Sequence, residues 1–294
     1  MVPYRSLLFV PGHKPAWIDK AAAVQPDAIV LDLEDSVPED LKVRARETVA
    51  ESISRASAEH PDIEFLVRVN GLSTGNTGAD LETCLIPGLK GLFVPKIETA
   101  TDLAKVDALV DHFERRNEVS GIEYVVPIET VPAIWNVREI AHGSPRVGAV
   151  IGPTAEHADI AREVGFEWTP GGLETLYLRS RVLLAIREAG VHALTGLWEK
   201  VDDLVGLDEF ARSGKSLGYR GMVVIHPSHV PVVNTAFTPS DTEVDFYQGQ
   251  VSAYEKAVAA GDGALRYQGL HIDKAHYDKA VQWLERAHQL RNRK

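Results

Sequence analysis

Eight short apolar segments recur along the chain and are separated by longer stretches that carry charges at helical spacing. The apolar segments span residues 6–11, 28–33, 65–70, 91–96, 123–128, 146–151, 192–195 and 221–226. Most are rich in Val, Ile, Leu and Phe at consecutive positions, which is typical of strands buried on both faces of a parallel sheet. Eight such strands alternating with helices predict an α/β fold of the (β/α)8 TIM-barrel type, with an open doubly wound sheet as the alternative.

The segments between the strands carry helix signals of their own. Predicted helices span residues 38–54, 101–116, 173–189, 203–217 and 229–236. Pro, Glu and Asp open the first of these, two arginines close the second, and a glycine follows the third, as expected from capping and from the helix dipole. The barrel is therefore expected to occupy residues 1–237 as the catalytic domain.

The last part of the chain exceeds what one barrel needs. Residues 238–294 predict a helix at 241–260, an extended piece at 264–272 and a final helix at 274–291. We expect this C-terminal extension to act as a lid over an active site and to contact a neighbouring subunit.

Composition excludes several classes of protein. The net charge of −11 argues against a nucleic-acid partner, which requires a basic surface. Neither a secretory signal nor an apolar run of the ~18 to 20 residues needed to cross a membrane is present in the sequence. The single cysteine, Cys84, excludes an intramolecular disulfide and a thiolate zinc cluster. We therefore expect a soluble cytoplasmic protein with no membrane partner.

Polar residues follow the predicted strands at the end where a barrel holds its active site. In chain order they are Asp32, Glu34, Asp35, Arg68, Asn70, Lys96, Glu98, Glu129, Thr130, Glu156, His157, Asp159 and His226. Carboxylates that converge on one rim repel one another unless a cation lies among them, and oxygen ligands favour Mg2+, with Mn2+ possible. The alternative is a network of ion pairs, such as Arg68 with Glu34 or Lys96 with Glu98.

An ordered set of motifs resembles the HpcH/HpaI aldolase and citrate lyase β-subunit (CitE-like) superfamily. The motifs are RSLLFVPG, LDLEDSVPEDLKVRAR, VRVNG, PKIET, PIET, LYLRSRV and IHPSHVPVVNTAFTPS, and they cover essentially the whole chain. The resemblance implies a TIM barrel and a Mg2+-dependent lyase like the stand-alone malyl-CoA and citramalyl-CoA lyases. Such an enzyme cleaves or forms a 3-hydroxyacyl-CoA, with acetyl-CoA and a 2-oxo acid as the other pair of reactants.

The resemblance also implies roles for single residues. Glu129 in PIET and Asp159 match the two metal ligands, and Arg68 matches the arginine that holds the 2-oxo acid and stabilises negative charge on oxygen. Glu34 and Asp35 match acidic residues around the metal and its waters. The turn from 152 to 159 is longer than is usual in the family, so Glu156 remains an alternative to Asp159, and His157 could also approach the metal.

Further matches concern substrate binding and proton transfer. Gly152 and Pro153 begin the turn at which the 2-oxo acid would bind, and Lys14 is a candidate for the CoA phosphates, with a solvated surface position as its alternative. Asp273 matches an aspartate that, in CoA-using relatives, reaches the active site of a neighbouring subunit; its alternative role is a helix N-cap. That aspartate implies a homo-oligomer, a trimer or a hexamer.

The sequence is compatible with several other functions. They are the citryl-carrier-protein lyase subunit of a citrate lyase complex, a CoA-independent class II aldolase, a malyl-CoA thioesterase, a Schiff-base aldolase using Lys96, and a non-enzymatic scaffold that binds CoA esters.

Overall fold

The computed structural model describes residues 3–291, and its first part is a barrel of eight parallel strands. The strands are β1 (Ser6–Pro11), β2 (Ala28–Asp32), β3 (Glu64–Arg68), β4 (Leu89–Phe93), β5 (Glu123–Pro127), β6 (Val147–Ile151), β7 (His192–Leu194) and β8 (Met222–Val224). From β1 to β7, each strand pairs in parallel with the next along the chain, and β8 pairs in parallel with β1. Thr195 closes the barrel through a parallel bridge to Met222, supported by a hydrogen bond of 2.9 Å from its backbone N–H to the Gly221 carbonyl. The (β/α)8 prediction is confirmed.

Helices cover the outside of this barrel. They are α1 (Ala16–Ala22), α2 (Lys42–Glu59), α3 (Thr77–Cys84), α4 (Ala100–Asn117), α5 (Val131–His142), α6 (Asp159–Val164), α7 (Leu176–Ala189), α8 (Leu204–Leu217) and α9 (His229–Phe237). Local sequence accounts for several helix ends. Thr99 and Asp102 form a reciprocal capping box at the start of α4, and Gly190 ends α7 in the left-handed conformation.

Apolar side chains form two layers, because successive residues of a strand point to opposite faces. Leu7, Val30, Leu66 and Val125 fill the barrel interior. Leu8, Ile29, Val67 and Val126 point outward into a larger core that includes apolar residues of the helices. Since all eight strands run the same way, their carboxyl ends lie on one rim, and the polar residues that follow them are brought to that rim.

The C-terminal unit begins at Thr238, and the barrel unit ends at Phe237. It contains α10 (Asp241–Ala259), a hairpin of two antiparallel strands, β9 (Leu265–Tyr267) and β10 (Leu270–Ile272), and α11 (Lys274–Arg291). A capping box of Ser240 and Glu243 starts α10. The rings of Tyr247 and Trp283 lie 4.4 Å apart between their centroids and pack α10 against α11.

Among residues 3–291, no helix has both the length and the apolar character needed to cross a membrane.

Candidate active site

Arg68 stands at the end of β3 and is surrounded by carboxylates. Its Nε and Nη2 each donate to Asp32 at 2.6 Å, which is a bidentate pair, and its Nη1 lies 3.1 Å from Glu34 and 3.4 Å from Asp35. Asp32 and Arg68 are opposite each other in the β2–β3 register, so the sheet itself sets this pair. The guanidinium also lies over the Phe9 ring at 5.1 Å. The planar fork of Arg68 is therefore held in one orientation.

The acidic neighbours of Arg68 differ in their protonation. Burial would raise the pKa of Asp32, but the hydrogen bonds and charge of Arg68 outweigh it, so this pKa is lowered. Burial raises the pKa of Glu34 to about 7, with Arg68 opposing and the nearby carboxylates of Asp35 and Glu129 adding to the rise. Asp35 is mostly exposed. Glu34 and Asp35 thus lie beside Arg68, and the ion pair of Arg68 with Glu34, which the sequence offered as an alternative, is present.

Glu129 and Asp159 share one cationic partner, the ammonium of Lys96. Lys96 Nζ contacts Asp159 Oδ2 and lies 3.8 Å from Glu129 Oε1, while the Lys96 backbone N–H donates to the same Glu129 oxygen at 2.8 Å. The structure therefore brings together the two carboxylates that the sequence selected as metal ligands. Both lie within reach of a single positive charge, and an all-oxygen pair suits Mg2+, so these residues fit the metal that the sequence implies.

The contacts of Lys96 with Glu129 and Asp159 change the pKa values of all three groups. The hydrogen bond and charge of Lys96 lower the pKa of Asp159. Burial raises the pKa of Glu129, with Lys96 opposing. Burial alone would lower the pKa of Lys96, but its two carboxylate partners raise it. A lysine held as an ammonium is a poor nucleophile, which argues against the Schiff-base alternative. The backbone of Lys96 has a φ of 56°, a rare conformation for a side chain of this kind.

The two alternative metal ligands face a different loop. His157 contacts Glu199 through its Nδ1 at 2.9 Å and through its backbone N–H at 3.0 Å, and Glu156 lies 3.8 Å from Lys200. Both partners belong to the loop that follows β7. Glu156 and His157 therefore tie the turn after β6 to the next loop, whereas Asp159, one turn further on, meets Glu129 through Lys96.

A cavity of about 190 Å³ opens beside Arg68 and Glu129. Gly152 and Pro153, which the sequence assigned to substrate binding, line it together with the residues that end β5, β6 and β7. Gly152 lacks a side chain for a packing reason, because a Cβ at this position would collide with the Tyr219 ring.

A second cavity, of about 460 Å³, adjoins the first at Phe9, Arg68 and Ile225. It extends past β1 to α1 and is lined there by Trp17 and Lys20. Lys14 is exposed and lines a separate depression with Arg44, which shares no lining residue with these two cavities. Of the cations near β1, Lys20 rather than Lys14 lies directly on the second cavity.

Asp273 belongs to the C-terminal unit and caps α11. Its Oδ1 accepts from the backbone N–H groups of Ala275 at 3.0 Å and His276 at 3.3 Å, and lies 2.6 Å from Nδ1 of His276. The hydrogen bonds with His276 lower the pKa of Asp273. The N-cap alternative is therefore realised within this unit.

Comparison with known proteins decides the family. The model of the HpcH/HpaI aldolase/citrate lyase family matches residues 5–227, which is most of the chain. The chain belongs to the HpcH/HpaI aldolase/citrate lyase family. It is thus an enzyme of the carbon–carbon lyase class.

Individual relatives of this HpcH/HpaI chain span nearly its full length. It is 32% identical to a (3S)-malyl-CoA thioesterase of Cereibacter sphaeroides, over 97% of this chain and 95% of that protein. It is 33% identical to an L-malyl-CoA/β-methylmalyl-CoA lyase of the same organism, over 95% and 92%. The crystal structure of CitE from Mycobacterium tuberculosis in complex with magnesium, acetoacetate and coenzyme A superposes with a TM-score of 0.75 at 25% identity, covering 97% of this chain and 98% of that one.

Sequence reasoning missed some residues that shape this HpcH/HpaI site. The buried ammonium of Lys42 donates to the carbonyls of Leu33 and Glu34 and to Asn70 Oδ1, at 2.8–3.0 Å, and so fixes the backbone that carries Glu34. The ion-pair alternative predicted a pair of Lys96 with Glu98, whereas Lys96 pairs with Glu129 and Asp159. The Asp32–Arg68 pair could have been found, since both residues end neighbouring strands and bear opposite charges.

Proposed function

We propose that the chain is a Mg2+-dependent carbon–carbon lyase that cleaves or forms a 3-hydroxyacyl-CoA of the malyl-CoA or citramalyl-CoA type. The products of cleavage are acetyl-CoA and a 2-oxo acid. The observation that carries this proposal is the meeting of Glu129 and Asp159 at one cation, beside Arg68 and at the mouth of a cavity. Relatives named for malyl-CoA chemistry, and the CitE complex with magnesium and coenzyme A, support it.

In this proposal Glu129 and Asp159 would hold the metal, and the cation would replace the Lys96 ammonium as their shared partner. The bound cation would polarise the hydroxyl, and later the carbonyl, of the 2-oxo acid fragment. Arg68 is kept in place by Asp32 and directs its remaining donor, Nη1, toward Glu34 and Asp35 at the cavity rim, where it would bind the substrate carboxylate or the developing oxyanion. Gly152 and Pro153 would contact the acid fragment.

The thioester half would lie in the second cavity. In cleavage, the bond between the hydroxyl-bearing carbon and the carbon next to the thioester breaks, its electron pair stays on the thioester fragment as an enolate, and the hydroxyl passes its proton to water. We assign to Asp273, supplied by a neighbouring subunit of a homo-oligomer, a trimer or a hexamer, the transfer of a proton from water to the enolate carbon. Lys20, and Lys14 further out, would attract the CoA phosphates.

A thioesterase is the second candidate, because a (3S)-malyl-CoA thioesterase matches nearly the whole chain. A single assay separates the two candidates. The full chain is incubated with malyl-CoA and Mg2+, and acetyl-CoA, glyoxylate, malate and free CoA are measured, with and without EDTA. The proposal expects acetyl-CoA and glyoxylate, and expects EDTA to abolish their formation. Release of malate and free CoA without acetyl-CoA or glyoxylate would identify a thioesterase instead.

A further inference from the structure

The cavity beside Arg68 and Glu129 is walled by apolar side chains. Phe93, Ile151, Leu197 and Val223 line it, and its polar side chains are limited to Arg68, Glu129 and Thr154 among the residues that form its wall. Phe93 is fixed by edge-to-face packing on Phe9, with 5.0 Å between ring centroids. Apart from the Thr154 hydroxyl, which is buried without a hydrogen-bond partner, and the two charged groups, the lining side chains offer no polar atom to a substrate, so most of this surface favours an apolar group.

The size of the cavity exceeds what a small 2-oxo acid requires. Its volume is about 190 Å³. By comparison, a cavity of roughly 150 Å³ lined by Leu, Ile and Phe can hold benzene. Once the acid's carboxylate and carbonyl lie at Glu129 and Arg68, space remains for several carbon atoms.

Small residues in the long turn after β6 keep this space open. Ala155 and Ala158 line the cavity, and Ala155 is 94% buried, with 6% of its surface exposed. Larger side chains at these positions would occupy the volume that the substrate would use. The turn after β6 therefore supplies part of the cavity wall.

Charge excludes a second carboxylate from the same space. Arg68 is the one cation among the residues that line the cavity, and its Nε and Nη2 are already bound by Asp32. A carboxylate on the far side of the substrate would be desolvated without a partner, at the expense of binding.

From these observations we infer that the 2-oxo acid handled at this site carries an apolar side chain of about four carbons, branched or unbranched. It is larger than glyoxylate or pyruvate and, unlike oxaloacetate, has no distal carboxylate. The inference rests on the proposed lyase function and specifies its substrate class.

The test compares kcat/KM for condensation of acetyl-CoA with glyoxylate, pyruvate, 2-oxo-4-methylpentanoate and oxaloacetate, using the full chain with Mg2+. The value for 2-oxo-4-methylpentanoate should exceed that for glyoxylate about tenfold or more, and that for oxaloacetate about a hundredfold. If glyoxylate, pyruvate or oxaloacetate is the best substrate, the inference is overturned while the proposed function stands. If no 2-oxo acid condenses, both are overturned.

Substitutions of residues that line the cavity provide a second test of its substrate preference. Ala155→Leu should lower the ratio of kcat/KM for 2-oxo-4-methylpentanoate over glyoxylate at least tenfold, whereas Ala79→Leu, the same change at an exposed position on α3, should leave the ratio unaltered. If Ala155→Leu does not fold, Leu197→Ala provides a second variant, because it enlarges the cavity. It should raise kcat/KM for 2-oxo-3-phenylpropanoate relative to that for 2-oxo-4-methylpentanoate. Ratios that stay constant in both wall variants would overturn the inference.

Discussion

At the rim of the barrel, the pKa of a carboxyl group depends on its neighbours and its burial more than on whether it belongs to Asp or Glu. Glu34 and Asp32 are two residues apart, yet burial dominates one and the Arg68 fork dominates the other. The sequence indicated that carboxylates and an arginine meet at this rim, because each follows a strand. It could not indicate which carboxylate forms the bidentate ion pair with Arg68, since that depends on the β2–β3 register and on how deeply each residue is buried.

Glu34 gives a pH-dependent prediction at this scale. Its pKa of about 7 in the folded chain lies above the ordinary value of 4.5, so the folded state holds the proton more tightly than the unfolded state does. Stability contributed by protonated Glu34 is therefore lost as the pH rises from about 4.5 through 7. Between these limits the metal-free wild type should lose on the order of 2 kcal/mol of unfolding free energy relative to Glu34→Gln.

The measurement is denaturant unfolding at several pH values in EDTA. Glu47→Gln, a change of the same type at an exposed position on α2, should follow the wild-type pH dependence. Identical pH slopes for wild type and Glu34→Gln would contradict the assignment.

At the scale of elements, the apolar strands and most of the longer helices were predictable, and the short helices were not. All eight strands lie where consecutive apolar residues indicate them. The short helices α1, α3 and α6 have six to eight residues each, too few for a clear helical period. The 12-residue α5 was also missed, although Thr130 caps it and a proline stands in its first turn. Helix α2 begins at Lys42 rather than at Pro38, because a 3-10 turn at Glu39–Leu41 precedes it.

The start of α11 carries a prediction that separates capping from catalysis. Asparagine caps a helix about as well as aspartate, whereas alanine does not. Asp273→Ala should therefore lower the melting temperature of the chain, while Asp273→Asn should leave it close to the wild-type value. Both variants should lower kcat at least a hundredfold, because neither can exchange a proton.

Thermal unfolding and steady-state kinetics measure the two effects. A wild-type kcat in Asp273→Asn would leave Asp273 with the capping role alone. A wild-type melting temperature in Asp273→Ala would remove the capping role instead.

For the whole molecule, the barrel topology explains why a site could be proposed from sequence. Parallel strands deliver their carboxyl ends to one rim, so residues far apart in the chain, such as Arg68, Glu129 and Asp159, become neighbours. Topology alone does not reveal that Lys96 stands between the two metal-ligand candidates, because its side chain crosses from the end of β4 to the turn after β6. It also does not reveal the shape of the apolar cavity, which depends on packing around Gly152 and Ala155.

We propose that Glu129 and Asp159 form a magnesium site. Calorimetric titration of Mg2+ into the metal-free full chain measures the affinity and the stoichiometry of this site. Wild type should bind one Mg2+, and Glu129→Gln and Asp159→Asn should each weaken binding at least tenfold, since each removes an anionic ligand. Glu47→Gln provides the control, because Glu47 lies at an exposed position on α2 and the charge change is the same. Wild-type affinity in both Glu129→Gln and Asp159→Asn would contradict the account.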